Sequence, residues 1–258
     1  MVRQVGATVY TIRMLKVWLV VVVLCWCAAV MAQEKPADPQ TRAEIENALL
    51  VMRQKAVEGD VPGLMEHLYA SPPGGEQLRE PTARLFVALE AVKSAVRKRL
   101  KEGEDLDEEP QPGFASVAAI RSASVFVEGN HAELRFAPQH QGPADAYHLD
   151  KIDGRWKLNL ARINLEKDAD LAGAAKLALV FAAGLEDILA KIEADDIPEG
   201  SHPVEFATSH AMSFGMSLKE ADLPALQQRL VTLQRERHPQ RKAAARQEAT
   251  RPATQPAR

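Results

Sequence analysis

"YHLDKIDGRWKLNL", residues 147–160, decides the fold. Successive side chains of a strand point to opposite faces, so Tyr147, Leu149 and Lys151 share one side, and His148, Asp150 and Ile152 the other. Asp153 and Gly154 then supply the two positions of a tight turn that want positive φ. On the return, Trp156, Leu158 and Leu160 lie opposite Arg155, Lys157 and Asn159. The stretch reads as a hairpin with one apolar and one polar side.

Two upstream runs keep the same period: "RSASVFV" and "HAELRFA" are separated from each other by "EGN" and from the hairpin by "PQHQGP". In the second run Ala132, Leu134 and Phe136 oppose His131, Glu133 and Arg135. Four strands in this order predict an antiparallel meander, with a further strand possible around 116–121. The simplest sheet packs Leu134, Phe136, Tyr147, Leu149, Trp156, Leu158 and Leu160 against helices. It leaves His131, Glu133, Arg135, His148, Asp150, Lys157 and Asn159 as a mixed-charge outer face, as solvated antiparallel sheets do.

Elsewhere the apolar period is helical. Ile45, Leu49, Met52 and Ala56 mark a first helix, with Thr41 and Glu44 spaced as a capping box and Gly59-Asp60 as its stop. "VPGLMEHLY" reads as a short second helix, and residues 82–101 as a longer one striped by Leu85, Leu89, Val92, Val96 and Leu100. The acidic run at 102–109 lacks the Gly and alternating oxygen ligands of an EF-hand loop, so it reads as a solvated linker. Beyond residue 168 an alanine-rich helix, apolar around much of its circumference, is followed by an amphipathic one starting near Asp222.

Helix, Gly-Asp turn, short helix, long helix and a meander ending in Trp-x-Leu resembles the nuclear-transport-factor-2-like superfamily. "ALLVMRQKAVEGDVPGLMEHLY" and "YHLDKIDGRWKLNL" carry the likeness, over residues 41–165. It implies an α+β, cystatin-like cone: N-terminal helices packed on a curved antiparallel meander sheet, with the later helices as a C-terminal extension. Enzymes that resemble it are small isomerases and dehydratases with Asp, His or Tyr lining a pocket inside the cone. Many exported relatives look like binding or accessory modules. No catalytic motif matches residue by residue, so none is carried over.

The segment before this domain bounds the compartment. Lys16, the apolar run 17–26 and Val30-Met31-Ala32 have the layout of a signal peptide over residues 1–32, with Met14 as an alternative start. The rival reading is a retained membrane anchor, although the run falls short of the about 20 apolar residues a spanning helix needs. Cys25 and Cys27, the only cysteines, both lie in this leader, so the mature chain has no thiol for disulfides, catalysis or metal. The parts are then a leader at 1–32, a linker at 33–40, the cone at 41–165, a helical extension at 168–236 and a disordered basic tail at 237–258.

The formal net charge is −3, and the body is more acidic than that, because the leader and tail carry an excess of Lys and Arg. That argues against nucleic acid as a partner. No Gly-rich phosphate loop or G-x-S-x-G elbow is present, so no cofactor is expected. His202 and His210 flank Glu205, but not at H-E-x-x-H spacing, so no metal site is expected either.

Three functions remain open. The first is an exported, non-enzymatic binding or accessory module of the periplasm or cell envelope, or of the extracellular space, membrane-bound only if the leader is kept. Its partner would be an apolar small ligand held by Tyr147, Trp156 and Phe136, or an envelope protein. The second is a cofactor-free isomerase or hydrolase with His148 and Asp150 as acid–base pair and Tyr147 as proton donor inside the cone. The third is a structural homodimer pairing through the sheet. Whether the chain is an enzyme is left open.

Overall fold

The computed structural model describes residues 36–71, 75–99, 114–136, 146–162, 171–196, 209 and 222–250. The leader, the acidic run, and His202, Glu205 and His210 lie outside the described residues.

The chain begins with α1 (Pro39–Glu58). Its cap is Asp38, whose Oδ1 accepts from the backbone N–H of Gln40 at 3.1 Å and of Thr41 at 3.0 Å. The expected Thr41 cap is displaced because Pro39, with φ fixed near the helical value and no N–H to satisfy, is suited to the first helical position. Gly59 ends α1 at φ 76°. Asp60 then caps α2 (Val61–Met65), its Oδ1 accepting from the Gly63 N–H at 2.9 Å.

The short second helix stops before the end of "VPGLMEHLY". Its last two residues form β1 (Leu68–Tyr69). After α3 (Glu76–Arg97) and α4 (Val117–Ser122) come β2 (Ser124–Glu128), β3 (His131–Arg135), β4 (Ala146–Ile152) and β5 (Arg155–Asn159). The strand expected around 116–121 is thus mostly α4, started by Ser116 Oγ accepting from the Ala119 N–H at 3.1 Å. α3 starts at Glu76 rather than at residue 82, and takes Pro81 into its body.

The sheet order is β1-β5-β4-β3-β2. Four strands form the expected meander, but β1 joins β5 in parallel through Leu68↔Leu158 and Tyr69↔Asn159, so the sheet is mixed and not purely antiparallel. At the far edge, the Ala37 N–H donates to Val125 O at 3.0 Å, so the end of the 33–40 linker is tied to β2.

Alternation predicts the buried side well. Leu134, Tyr147, Leu149, Trp156, Leu158 and Leu160 are buried, in one core with Ile45, Leu49 and Met52 of α1, Leu64 of α2, Val87 of α3, and Phe114, while Phe136 packs at its edge. α3 is buried on two sides. Its Ala88, Val92 and Val96 form a second core with Ile188, Leu189 and Ile192 of α5 (Leu171–Glu193) and Leu230 of α6 (Leu223–Thr250). The protein is therefore layered: sheet, then α1 and α3, then α5 and α6. The late helices pack on the back of α3, and only Leu171, Ala174 and Ala175 of α5 reach the first core.

The basic tail expected to be disordered from residue 237 is helical as far as Thr250. Tertiary contacts hold it there. His238 Nδ1 lies 3.0 Å from the Glu58 carbonyl, and Arg241 packs over Gly59, where an added Cβ would meet its Cδ at 3.2 Å. Glu186 of α5, 1% exposed, accepts from Gln234 at 3.2 Å, Arg237 at 2.6 Å and Arg241 at 3.1 Å. A buried carboxylate is tolerable only when charged donors surround it in this way.

Candidate functional site

The residues singled out from the sequence divide between the two sides of the sheet. Tyr147 belongs to the core. Its ring meets Phe136 edge-on at 4.9 Å and Phe114 edge-on at 6.5 Å, and its hydroxyl accepts from the Ala115 N–H at 3.0 Å. Burial pushes its pKa up to about 12. Such a phenol is a structural acceptor and not an accessible proton donor. Trp156 is 5% exposed, covered in part by Lys151, whose ammonium lies 5.4 Å from the ring centroid and donates to Glu44 of α1 at 3.1 Å. The side of the sheet that Tyr147, Trp156 and Phe136 were expected to offer to a ligand is filled by the protein's own helices.

His148 and Asp150 are on the opposite, outer side, so they do not line the interior of a cone. They do not pair with each other either. Strand neighbours two apart point the same way, but cross-strand partners lie closer. The register sets Glu133 opposite His148 and His131 opposite Asp150. Asp150 Oδ1 lies 2.9 Å from His131 Nδ1, and Oδ2 accepts from Asn159 Nδ2 at 2.5 Å.

Hydrogen-bond roles fix the chemistry of this cluster. Asn159 Oδ1 accepts from the Ala161 N–H at 3.0 Å, which orients the amide and aims Nδ2 at Asp150. Asp150 is thereby an acceptor on both oxygens, so His131 Nδ1 must carry a proton. His131 Nε2 lies 2.9 Å from Arg162 Nη1. A guanidinium can only donate, so Nε2 must be bare. His131 is held as the neutral Nδ1–H tautomer, bridging Arg162 and Asp150.

Around this chain the other groups are nearly self-contained. The rings of His131 and His148 stack at 5.5 Å with an interplanar angle of 15°. His148 Nδ1 is buried with no hydrogen-bond partner among the described residues, and burial lowers the pKa of the imidazole, with neighbouring charges as smaller contributions. Glu133 is engaged by Arg135 at 2.6 and 3.0 Å, and that hydrogen bonding holds its pKa below the usual carboxylate value. Arg135 also stacks on Phe126 at 4.7 Å from the ring centroid.

His131, Arg162 and Asn159 are the site residues that the sequence reading did not join. His131 and Asn159 were placed on the correct face. The link of His131 to Asp150 needs the β3–β4 register, which the sequence between those strands does not announce, whereas Asn159 meets Asp150 across the β4–β5 hairpin. Arg162 lies just beyond the hairpin, and a 3₁₀ turn at Leu160–Arg162 returns it over β3. Among the described residues no group of three or more His, Cys, Asp or Glu is placed to hold a metal ion. His67 is half-buried near β1, and burial lowers its pKa, as for a structural histidine. A broad groove of about 850 Å³ is walled by α3, α5 and α6, with Glu90, Arg99, Glu193 and Arg241 of its lining each held in an ion pair.

Compared with family models, with curated proteins and with solved structures, the chain matches none. Among the described residues no helix is long and apolar enough to cross a membrane.

Proposed function

We propose that the chain is an exported binding or accessory module of the periplasm or cell envelope, built on a cone related to the nuclear-transport-factor-2-like group. In this reading the outer face of the sheet is the recognition surface. One observation carries it: the apolar side of the sheet is filled by α1, α3 and Phe114, while the outer side holds an ordered polar cluster around His131 and Asp150. A filled interior leaves no room for the substrate that an interior active site needs. Ordered polar groups on a rigid sheet are what a specific contact with a partner uses.

The test is thiol labelling in intact cells of a bacterium with two membranes. Cys25 and Cys27 are changed to Ser, and a single cysteine is introduced as Lys157→Cys or Leu149→Cys. The reagent is a maleimide that passes the outer but not the inner membrane. Labelling of Lys157→Cys but not of Leu149→Cys is expected. Labelling of Lys157→Cys only after cell breakage would refute export, and faster labelling of Leu149→Cys would refute the assignment of faces.

A further inference from the structure

We propose that Arg162 and His131 form an acid-strengthened site for an anionic oxygen group, a carboxylate or a phosphate or sulfate ester. The inference rests on the outer-face reading above and names the chemistry of the ligand.

Arg162 is exposed and forms no ion pair among the described residues; its hydrogen bond goes to an imidazole nitrogen, an uncharged acceptor. A guanidinium is best matched by a carboxylate or phosphate, which takes two parallel N–H bonds. Of the neighbouring carboxylates, Asp150 is engaged by His131 and Asn159, and Glu133 by Arg135, while Glu128 stands exposed across from His131 on β2. With His131 neutral, its Nε2 lone pair takes one N–H of Arg162 and the imidazole offers an anion no donor at that position.

Protonation of His131 changes this. Nδ1–H keeps its bond to Asp150, but Nε2 becomes a donor facing another donor, and two positive charges meet with no acceptor between them. The 2.9 Å contact must open. An oxyanion inserted there accepts from both groups. The surrounding charges permit it. Glu128 is the register partner of His131 on β2, Glu133 and Arg135 share its strand, and Asp150 faces it from β4 with Lys157 beyond on β5. His148, stacked on His131, has its charged form disfavoured by burial and does not compete for the anion.

The experiment measures binding of sulfate to the full chain by calorimetry at about pH 5.5 and about pH 8, a range in which histidine titrates and sulfate does not. Sulfate is expected to bind measurably tighter at the lower pH. His131→Gln is expected to abolish the pH dependence, and Arg162→Gln to remove binding at both values, with circular dichroism confirming that each variant folds. A parallel titration with acetate distinguishes the sources: tighter binding of the planar anion points to a carboxylate, of the tetrahedral one to a phosphate or sulfate ester. Equal affinity at the two pH values, no binding at either, or a pH dependence unchanged in both variants would overturn the proposal. If sulfate fails while Lys157→Cys is labelled in cells, only the anion chemistry is lost. If Lys157→Cys stays protected even after cell breakage, the outer-face reading fails with it.

Discussion

His131 and Asp150, nineteen residues apart, meet across β3 and β4 with Nδ1 2.9 Å from Oδ1. Each is held by a further group from the end of β5 or the turn after it: Arg162 on His131, Asn159 on Asp150. The contact therefore ties the last turn of the sheet to two central strands.

Asp150→Ala is expected to cost about 1–3 kcal/mol, because the Asn159 amide, only 3% exposed, is left buried without its acceptor. Asp150→Asn should cost less, since it keeps one acceptor. Urea unfolding of the two variants against the parent makes the comparison.

Stability is expected to fall on acidification. Burial lowers the pKa of His148 from the ordinary imidazole value of 6.5, so the folded state disfavours its proton. That contribution is fully present above the unfolded value of 6.5 and is lost as pH falls through the lower, folded value. His67, also lowered by burial, acts in the same direction. Thermal melts at successive pH values should show His148→Gln with a shallower acid slope than the parent.

Glu186→Ala is expected to destabilise the protein by about 3–5 kcal/mol, since it leaves Arg237 and Arg241 partly buried without their shared carboxylate. The loss should be concentrated in α6. Amide hydrogen exchange should accelerate there while β4 and β5 remain protected.

Gly59→Ala should cost about 1 kcal/mol or more, because φ is 76° and the new methyl group would crowd Arg241. Gly154 also has a positive φ, of 75°, but its Cβ position is open, so Gly154→Ala carries only the backbone strain. Chemical denaturation should rank Gly59→Ala as the more damaging.

Leu149→Ala, at a position fully enclosed between sheet and helices, is expected to cost roughly 2–5 kcal/mol. Lys157→Ala, on the outer side of the next strand, should change stability by about 0.5 kcal/mol or less. A reversal of that order in urea unfolding would invert the assignment of faces.

The α+β architecture and the two sides of the sheet were legible because strand period and turn chemistry are local. Asp153-Gly154 fixed the hairpin, with Asp153 at φ 51° and Gly154 at 75°. Strand β1 was not legible: two residues carry no period, and Leu68–Tyr69 joins the sheet only because β5 is there to pair with it. The helical course of residues 237–250 was hidden for a related reason. Its own sequence is polar, and its hold comes from Glu186 and Gly59, distant in the chain. Within the site, the polar residues of each strand were placed on the correct face, but their partners were not. Pairing depends on register, and the sequence pointed to His148 as the partner of Asp150 where the register supplies His131.

The polar cluster turns on the proton of His131. Nitrogen-15 spectra of the imidazole rings at about pH 8, where histidine is neutral, read the tautomer without any substitution. The structure predicts that His131 carries its proton on Nδ1, toward Asp150, with Nε2 bare toward Arg162. A proton on Nε2 instead would mean that Arg162 is not bonded there and Asp150 does not accept from the ring, and the cluster as described would not exist.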